Sequence, residues 1–110
     1  MFVSSICYTH DMNKYLSKLQ EKANHTMYQK QGISYLGLFG SAARGEEKSN
    51  SDIDVLIDFN TNKTLFDLAD IQFYLETTLG RKVDLVTRKN IKPILKPYID
   101  QDLITIYEQN

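Results

Sequence analysis

Residues 37–58 read GLFGSAARGEEKSNSDIDVLID, and they predict strand, tight turn, short helix, loop and strand. The run Ile33 to Phe39 is rich in β-formers and stops at Gly40. Ser41 to Gly45 is compact enough for one helical turn or more, and Glu46 to Ser51 is polar, the composition of a loop. From Asp52 to Phe59 the residues alternate. Ile53, Val55, Ile57 and Phe59 take one face of a strand; Asp52, Asp54, Leu56 and Asp58 take the other. A third strand is predicted over Lys82–Val86, with Val83 and Leu85 toward the core and Asp84 on the opposite face.

The chemistry sits at the ends of these strands. Glycine at position 40 lets the backbone approach a phosphate closely. The amides that follow it and the Ser41 hydroxyl are donors for that phosphate. This is P-loop physics without P-loop sequence, since neither GKS nor GKT occurs. Asp52 and Asp54 leave one face of a strand roughly 7 Å apart at Cα. Divalent magnesium prefers such oxygen ligands and completes its shell with substrate phosphates. Asp84 is the expected third carboxylate. Asp58 shares the face but lies roughly 13 Å along the strand from Asp54, too far to share a metal. Arg44 has two readings of equal weight: a phosphate contact, or an ion pair with Glu46, Glu47 or an aspartate of the site.

The rest of the chain predicts packing. Met12, Leu16, Leu19, Ala23 and Met27 are spaced as one face of a helix over Asp11–Gln31, with Asp11 as N-cap and Gly32 as C-cap. Tyr15 and Tyr28 are read as packing residues, and His10 and His25 lack metal-ligand spacing. Thr64 and Asp67 form a capping box for a helix that buries Leu65, Leu68, Ile71, Leu75 and Leu79 and ends at Gly80. Asn90 is expected to cap a short helix with Pro93 in its first turn, and Pro97 to start another. Ile104 and Ile106 alternate, so the tail is expected to finish as a strand. Residues 1–10 carry only weak signals.

Composition sets the outer limits. The 110 residues allow one domain with one modest core. Thirteen basic and 14 acidic residues leave a net charge of −1, so there is no basic field for a nucleic-acid backbone. Cys7 is the only cysteine, which excludes an internal disulfide. No apolar run has transmembrane length, and the first ten residues lack the features of a signal peptide, so a cytoplasmic protein is expected.

Gly40-Ser41-Ala42-Ala43-Arg44-Gly45-Glu46, then Ser51-Asp52-Ile53-Asp54-Val55-Leu56, then Val83-Asp84-Leu85-Val86, resembles the minimal nucleotidyltransferases of the DNA polymerase beta superfamily. The resemblance covers roughly residues 12–107, nearly all of a single 1–110 domain. It implies an α/β nucleotidyltransferase fold, a mixed β-sheet with helices packed against it. It implies two Mg²⁺ ions on Asp52, Asp54 and Asp84, and ATP as donor held by Gly40 and Ser41, with Arg44 a further nucleotide contact. Larger members carry a second helical region that holds the acceptor, and this sequence shows none. Many minimal members are encoded beside a HEPN toxin; there the nucleotidyltransferase is the antitoxin and transfers AMP to a tyrosine of the toxin. The resemblance thus implies a HEPN partner and a homo- or hetero-oligomer. Two alternatives stand beside it: an antitoxin that acts by binding alone, and a transferase for a small-molecule acceptor completed by another subunit.

Overall fold

The structure, a computed structural model, describes residues 10–44 and 52–109. In chain order the elements are α1 (His10–Leu19), α2 (Lys22–Lys30), β1 (Ile33–Phe39), α3 (Gly40–Arg44), β2 (Ile53–Phe59), α4 (Leu65–Leu79), β3 (Val83–Thr87), a 3₁₀ turn (Arg88–Asn90), α5 (Lys96–Asp102) and β4 (Ile104–Glu108). The sheet runs β3-β2-β1-β4. β1 is antiparallel to β2 and β4, and β2 is parallel to β3. The parallel pair needs a crossover, which α4 supplies.

One face of the sheet is the core. Leu36, Leu38, Ile53, Val55, Ile57 and Val83 are buried there against Tyr15, Leu19 and Tyr28 of α1 and α2 and Ile71, Leu75 and Leu79 of α4. Alternation on β2 behaves as expected at these positions. Leu56, on the opposite face, is buried as well at 1% exposure. It lies opposite Gly37, where a Cβ would sit 2.8 Å from Leu103 Cδ1, so the segment after α5 presses onto that second face.

The helix expected over Asp11–Gln31 is instead two helices. Glu21 is extended (φ −62°, ψ 145°) and stands at the N-cap of α2. The break leaves carbonyls at the end of α1 without helical partners, and side chains of α2 take them up. Asn24 Nδ2 donates to the Lys18 carbonyl, and the Tyr28 hydroxyl donates to the Leu19 carbonyl at 2.8 Å. Tyr74 of α4 donates to Asn24 Oδ1, so this buried asparagine joins three helices. The interruption also shifts the helical phase. Leu19 is followed by Asn24 and Tyr28 in the core, while Ala23 is exposed. Asp11 lies inside α1 and not at its cap.

α4 keeps its expected limits. Thr64 and Asp67 form the reciprocal capping box, and Gly80 is left-handed at φ 70°. Leu65, expected in the buried stripe, is 82% exposed, because it occupies the first turn and the stripe begins in earnest at Leu68 and Ile71. Asn90 caps no helix. Its side-chain amide donates to Thr87 Oγ1 at 2.7 Å within the 3₁₀ turn, and Ile91 leaves that turn extended. Lys92 then precedes Pro93, which disfavours helical geometry at that residue, and only turns follow before α5. Pro97 lies in the first turn of α5 as expected. The expected loop over Glu46–Ser51 lies outside the described residues.

The Tyr28 hydroxyl is the test of the helix break. Tyr28→Phe keeps the ring and strands the buried Leu19 carbonyl, and urea denaturation is expected to show a loss of about 1–2 kcal/mol. An unchanged midpoint would mean that water satisfies this carbonyl.

Candidate active site

The three strands that end at the site line up across the sheet. Phe39, the last residue of β1, lies opposite Asp54 on β2, and Asp54 lies opposite Asp84 on β3. Gly40 follows Phe39 with φ 73°. A Cβ at Gly40 would stand 2.2 Å from Asp54 Oδ2. A side chain there would displace the Asp54 carboxylate and sit in strained left-handed backbone. The turn therefore rests directly on the Asp54 carboxylate, and Ser41, half-buried, is the second residue of α3.

Asp54 and Asp84 lie within hydrogen-bonding reach. The Asp54 carboxyl is pushed up to about 6, first by burial, then by the charges of Asp84 and Asp52 and the hydrogen bond with Asp84; the Arg44 charge opposes this. Asp52 precedes β2 directly and is exposed. It acts on Asp54 through its charge. Among the described residues, no three His, Cys, Asp or Glu side chains close into a metal-ligating group. What the fold joins is the Asp54–Asp84 pair, with Gly40 on one side and Asp52 at the entrance.

Asp58 stands apart, as its spacing predicts. It is half-buried at the other end of β2, and its Oδ1 accepts the Phe59 backbone N–H at 2.9 Å. Arg44 donates to Asp102 Oδ2 of α5, a partner brought from 58 residues away and thus invisible to local reading. Glu46 and Glu47 lie outside the described residues.

A feature that sequence reasoning missed adjoins Asp84. A cleft of about 410 Å³ is lined by Phe39, Val86, Ile91, Leu95, Tyr98 and Ile99, with Asp84, Asn90 and Lys92 as its polar groups. The available signal was the run Ile94-Leu95-Lys96-Pro97-Tyr98, whose apolar residues follow no buried period. Ile94, Leu95 and Tyr98 are 75%, 49% and 68% exposed.

The like charges have a measurable consequence. Asp54 in the folded chain holds its proton to about pH 6, above the roughly 3.9 of an unfolded aspartate. The folded state therefore binds more protons in that window, and Asp54 lowers stability progressively as pH rises from about 4 through about 6. Asp54→Asn removes the charge. In EDTA the variant is expected to melt above the parent at pH about 8, with the gap narrowing toward pH about 4. A parent equally stable at the higher pH would show that neither burial nor the neighbouring carboxylates disfavour the Asp54 charge.

Comparison with known proteins places this geometry. Residues 17–107 match the nucleotidyltransferase domain family. A Methanocaldococcus jannaschii protein provisionally named a protein adenylyltransferase is 40% identical over 77 residues, 70% of this chain and 83% of its own length. A solved structure described as a minimal nucleotidyltransferase superposes with a TM-score of 0.72 at 31% identity, covering 86% of this chain and 94% of that one. A complex of a tri-AMPylated Shewanella oneidensis HEPN toxin with its MNT antitoxin matches with a TM-score of 0.62 at 15% identity, covering 89% of this chain and 73% of that one, a likeness of fold. With the family match running from α1 to β4, this chain belongs to the nucleotidyltransferase domain family, among its minimal members.

Proposed function

We propose that the protein is a Mg²⁺-dependent adenylyltransferase that moves AMP from ATP to a tyrosine hydroxyl of a HEPN toxin and acts as its antitoxin. The observation that carries the reading is the row Phe39–Asp54–Asp84 across β1, β2 and β3, with the Gly40 turn that follows β1 set against the Asp54 carboxylate. Adjacent strands are roughly 4.8 Å apart, so a phosphate turn, a central carboxylate and an outer carboxylate stand in line. In-line displacement at phosphorus needs that order.

The donor set suits magnesium. It is all oxygen, and Asp54 sits under the repulsion of Asp84 and Asp52, which a divalent cation relieves. Two such ions, held by Asp52, Asp54 and Asp84 with substrate phosphates, would supply positive charge at the attacking and leaving oxygens. The chain's own groups do the rest. The Gly40 turn lets backbone amides approach the triphosphate, and the Ser41 hydroxyl donates to it. Asp84 accepts the proton of the acceptor hydroxyl. The tyrosyl oxygen bonds to the α-phosphorus, and the α–β bridging oxygen leaves with pyrophosphate. Arg44 is within electrostatic reach of Asp54 and exchanges Asp102 for a phosphate oxygen.

The adenylyl group and the protein acceptor are supported by the name of the Methanocaldococcus relative, and the HEPN partner by the toxin complex that shares the fold. The net charge of −1 disfavours free nucleic acid as acceptor. No helix among the described residues is long and apolar enough to cross a membrane.

The test combines the protein, ATP, Mg²⁺ and the HEPN protein encoded beside it, and weighs both proteins by mass spectrometry. Added AMP on a partner tyrosine is expected, abolished in Asp52→Asn/Asp54→Asn and in Gly40→Val. Neutralisation of the partner with no change in mass would overturn catalysis and leave an antitoxin that masks. Transfer to a metabolite in place of the partner would point to the small-molecule enzyme.

A further inference from the structure

The cleft beside Asp84 has no role in the chemistry above. Its walls come from three places: Phe39 at the end of β1, Val86 on β3, and Ile91, Leu95, Tyr98 and Ile99 from the segment between β3 and β4. Asp84 belongs both to this cleft and to the carboxylate row, whereas Gly40 and Ser41 do not line it. The cleft therefore joins the site through the carboxylate at the attacking end and not through the phosphate turn.

We propose that this cleft is the acceptor subsite, and that it takes the aromatic ring of the acceptor tyrosine with the hydroxyl directed at Asp84. The proposal rests on the adenylyl-transfer reading above for the identity of the reaction, and adds the residues that select the acceptor. In an in-line displacement the incoming and leaving oxygens lie on opposite sides of phosphorus. The leaving pyrophosphate is on the Gly40 side, so whatever occupies the Asp84 side brings the nucleophile. Six apolar residues around the Asp84 carboxylate, with Asn90 and Lys92 beside them, match a group that is apolar along its length and carries a hydroxyl at its tip. A serine or threonine hydroxyl would reach Asp84 and leave those walls wet. Leu95 and Tyr98, at 49% and 68% exposure, form the lip of the cleft, and an arriving protein surface would cover them. The rival occupant is the nucleobase. Its edge would be met by Asn90 and Lys92, and the nucleotide affinity of the variants below separates the two occupants.

The balance of the step is that of the parent reaction. The tyrosyl proton goes to Asp84, the oxygen–phosphorus bond forms, and pyrophosphate leaves. The cleft binds and aims the ring.

The test uses Tyr98→Ala and Leu95→Asp, both at exposed positions, with thermal melts to verify folding. Two quantities are read: the Kd for Mg²⁺–ATP by calorimetry, and kcat and KM for AMP transfer to the partner protein. The expected result is a nucleotide Kd within twofold of the parent and a rise in acceptor KM of tenfold or more. Loss of nucleotide affinity in parallel with transfer would assign the cleft to the nucleobase and overturn the proposal. No change in either quantity would also overturn it. If the parent itself transfers no AMP to the partner, the adenylyl-transfer reading fails, and the cleft is read separately by methyl NMR with N-acetyl-tyrosinamide. Saturable shifts at Ile91 and Ile99, absent with N-acetyl-serinamide and lost in Leu95→Asp, would uphold an aromatic subsite. Absence of shifts would sink it.

Discussion

The register between β2 and β3 is the constraint on which the site depends. Asp54 stands opposite Asp84 only in this pairing. A slip of one residue would turn Asp84 into the core and Val83 out of it. Two contacts hold the register at the end where the chemistry lies. The Ile53 amide donates to the Lys82 carbonyl at 2.8 Å, and the Val83 amide donates to Glu76 Oε2 at 3.0 Å. Glu76 lies on the crossover helix, one turn before the left-handed Gly80. α4 is thus held at its start by the capping box and reaches with its own side chain to the first residue of β3. The crossover that makes a parallel pair possible also sets which carboxylates meet.

That meeting works against the fold and serves the site. Burial and two like charges hold the Asp54 carboxyl well above the ordinary aspartate range. The core has to offset this, and it does so on the other face of the same strands. Ile53, Val55 and Ile57 are fully buried on either side of the strained aspartate. Each carries on the order of 1.5–3 kcal/mol of burial. The strand can anchor its carboxylates rigidly because one face is packed along its length, and Leu56 is buried on the other face beside Asp54.

The division explains what was legible in the sequence. Strands and α4 were readable because alternation at Ile53–Phe59, the Thr64–Asp67 box and Gly80 are local signals with one physical meaning each. The order of glycine, serine and aspartates along the chain marked the candidate site, and of these the fold brings Gly40, Asp54 and Asp84 together. The break at Gln20–Glu21 was not, since no proline or glycine marks it. It is set by buried Asn24 and Tyr28, whose side chains replace helical hydrogen bonds with tertiary ones. The partner of Arg44 and the walls of the cleft were equally hidden. Asp102 and four of the cleft's apolar walls come from α5 and the segment before it, and only the return of β4 to the edge of β1 brings that segment over the second face.

α5 then touches both halves of the candidate site, which its sequence does not announce. Asp102 at its end holds Arg44 at the end of the phosphate-turn helix, while Tyr98 and Ile99 on the same seven residues wall the cleft by Asp84. The second face beneath is kept flat by Gly37, which has Leu103 and Tyr35 where a side chain would go. Tyr35 is itself fixed by Thr105 at 2.8 Å and covered by the Arg88 guanidinium at 4.0 Å. An ion pair exposed like Arg44–Asp102 contributes on the order of 0–1 kcal/mol. In the proposed reaction Arg44 would exchange this carboxylate for a phosphate of the triphosphate. That exchange would free the Asp102 end of the helix whose other residues line the cleft. The candidate phosphate turn and the cleft beside Asp84 are thus joined through α5 by an exposed ion pair.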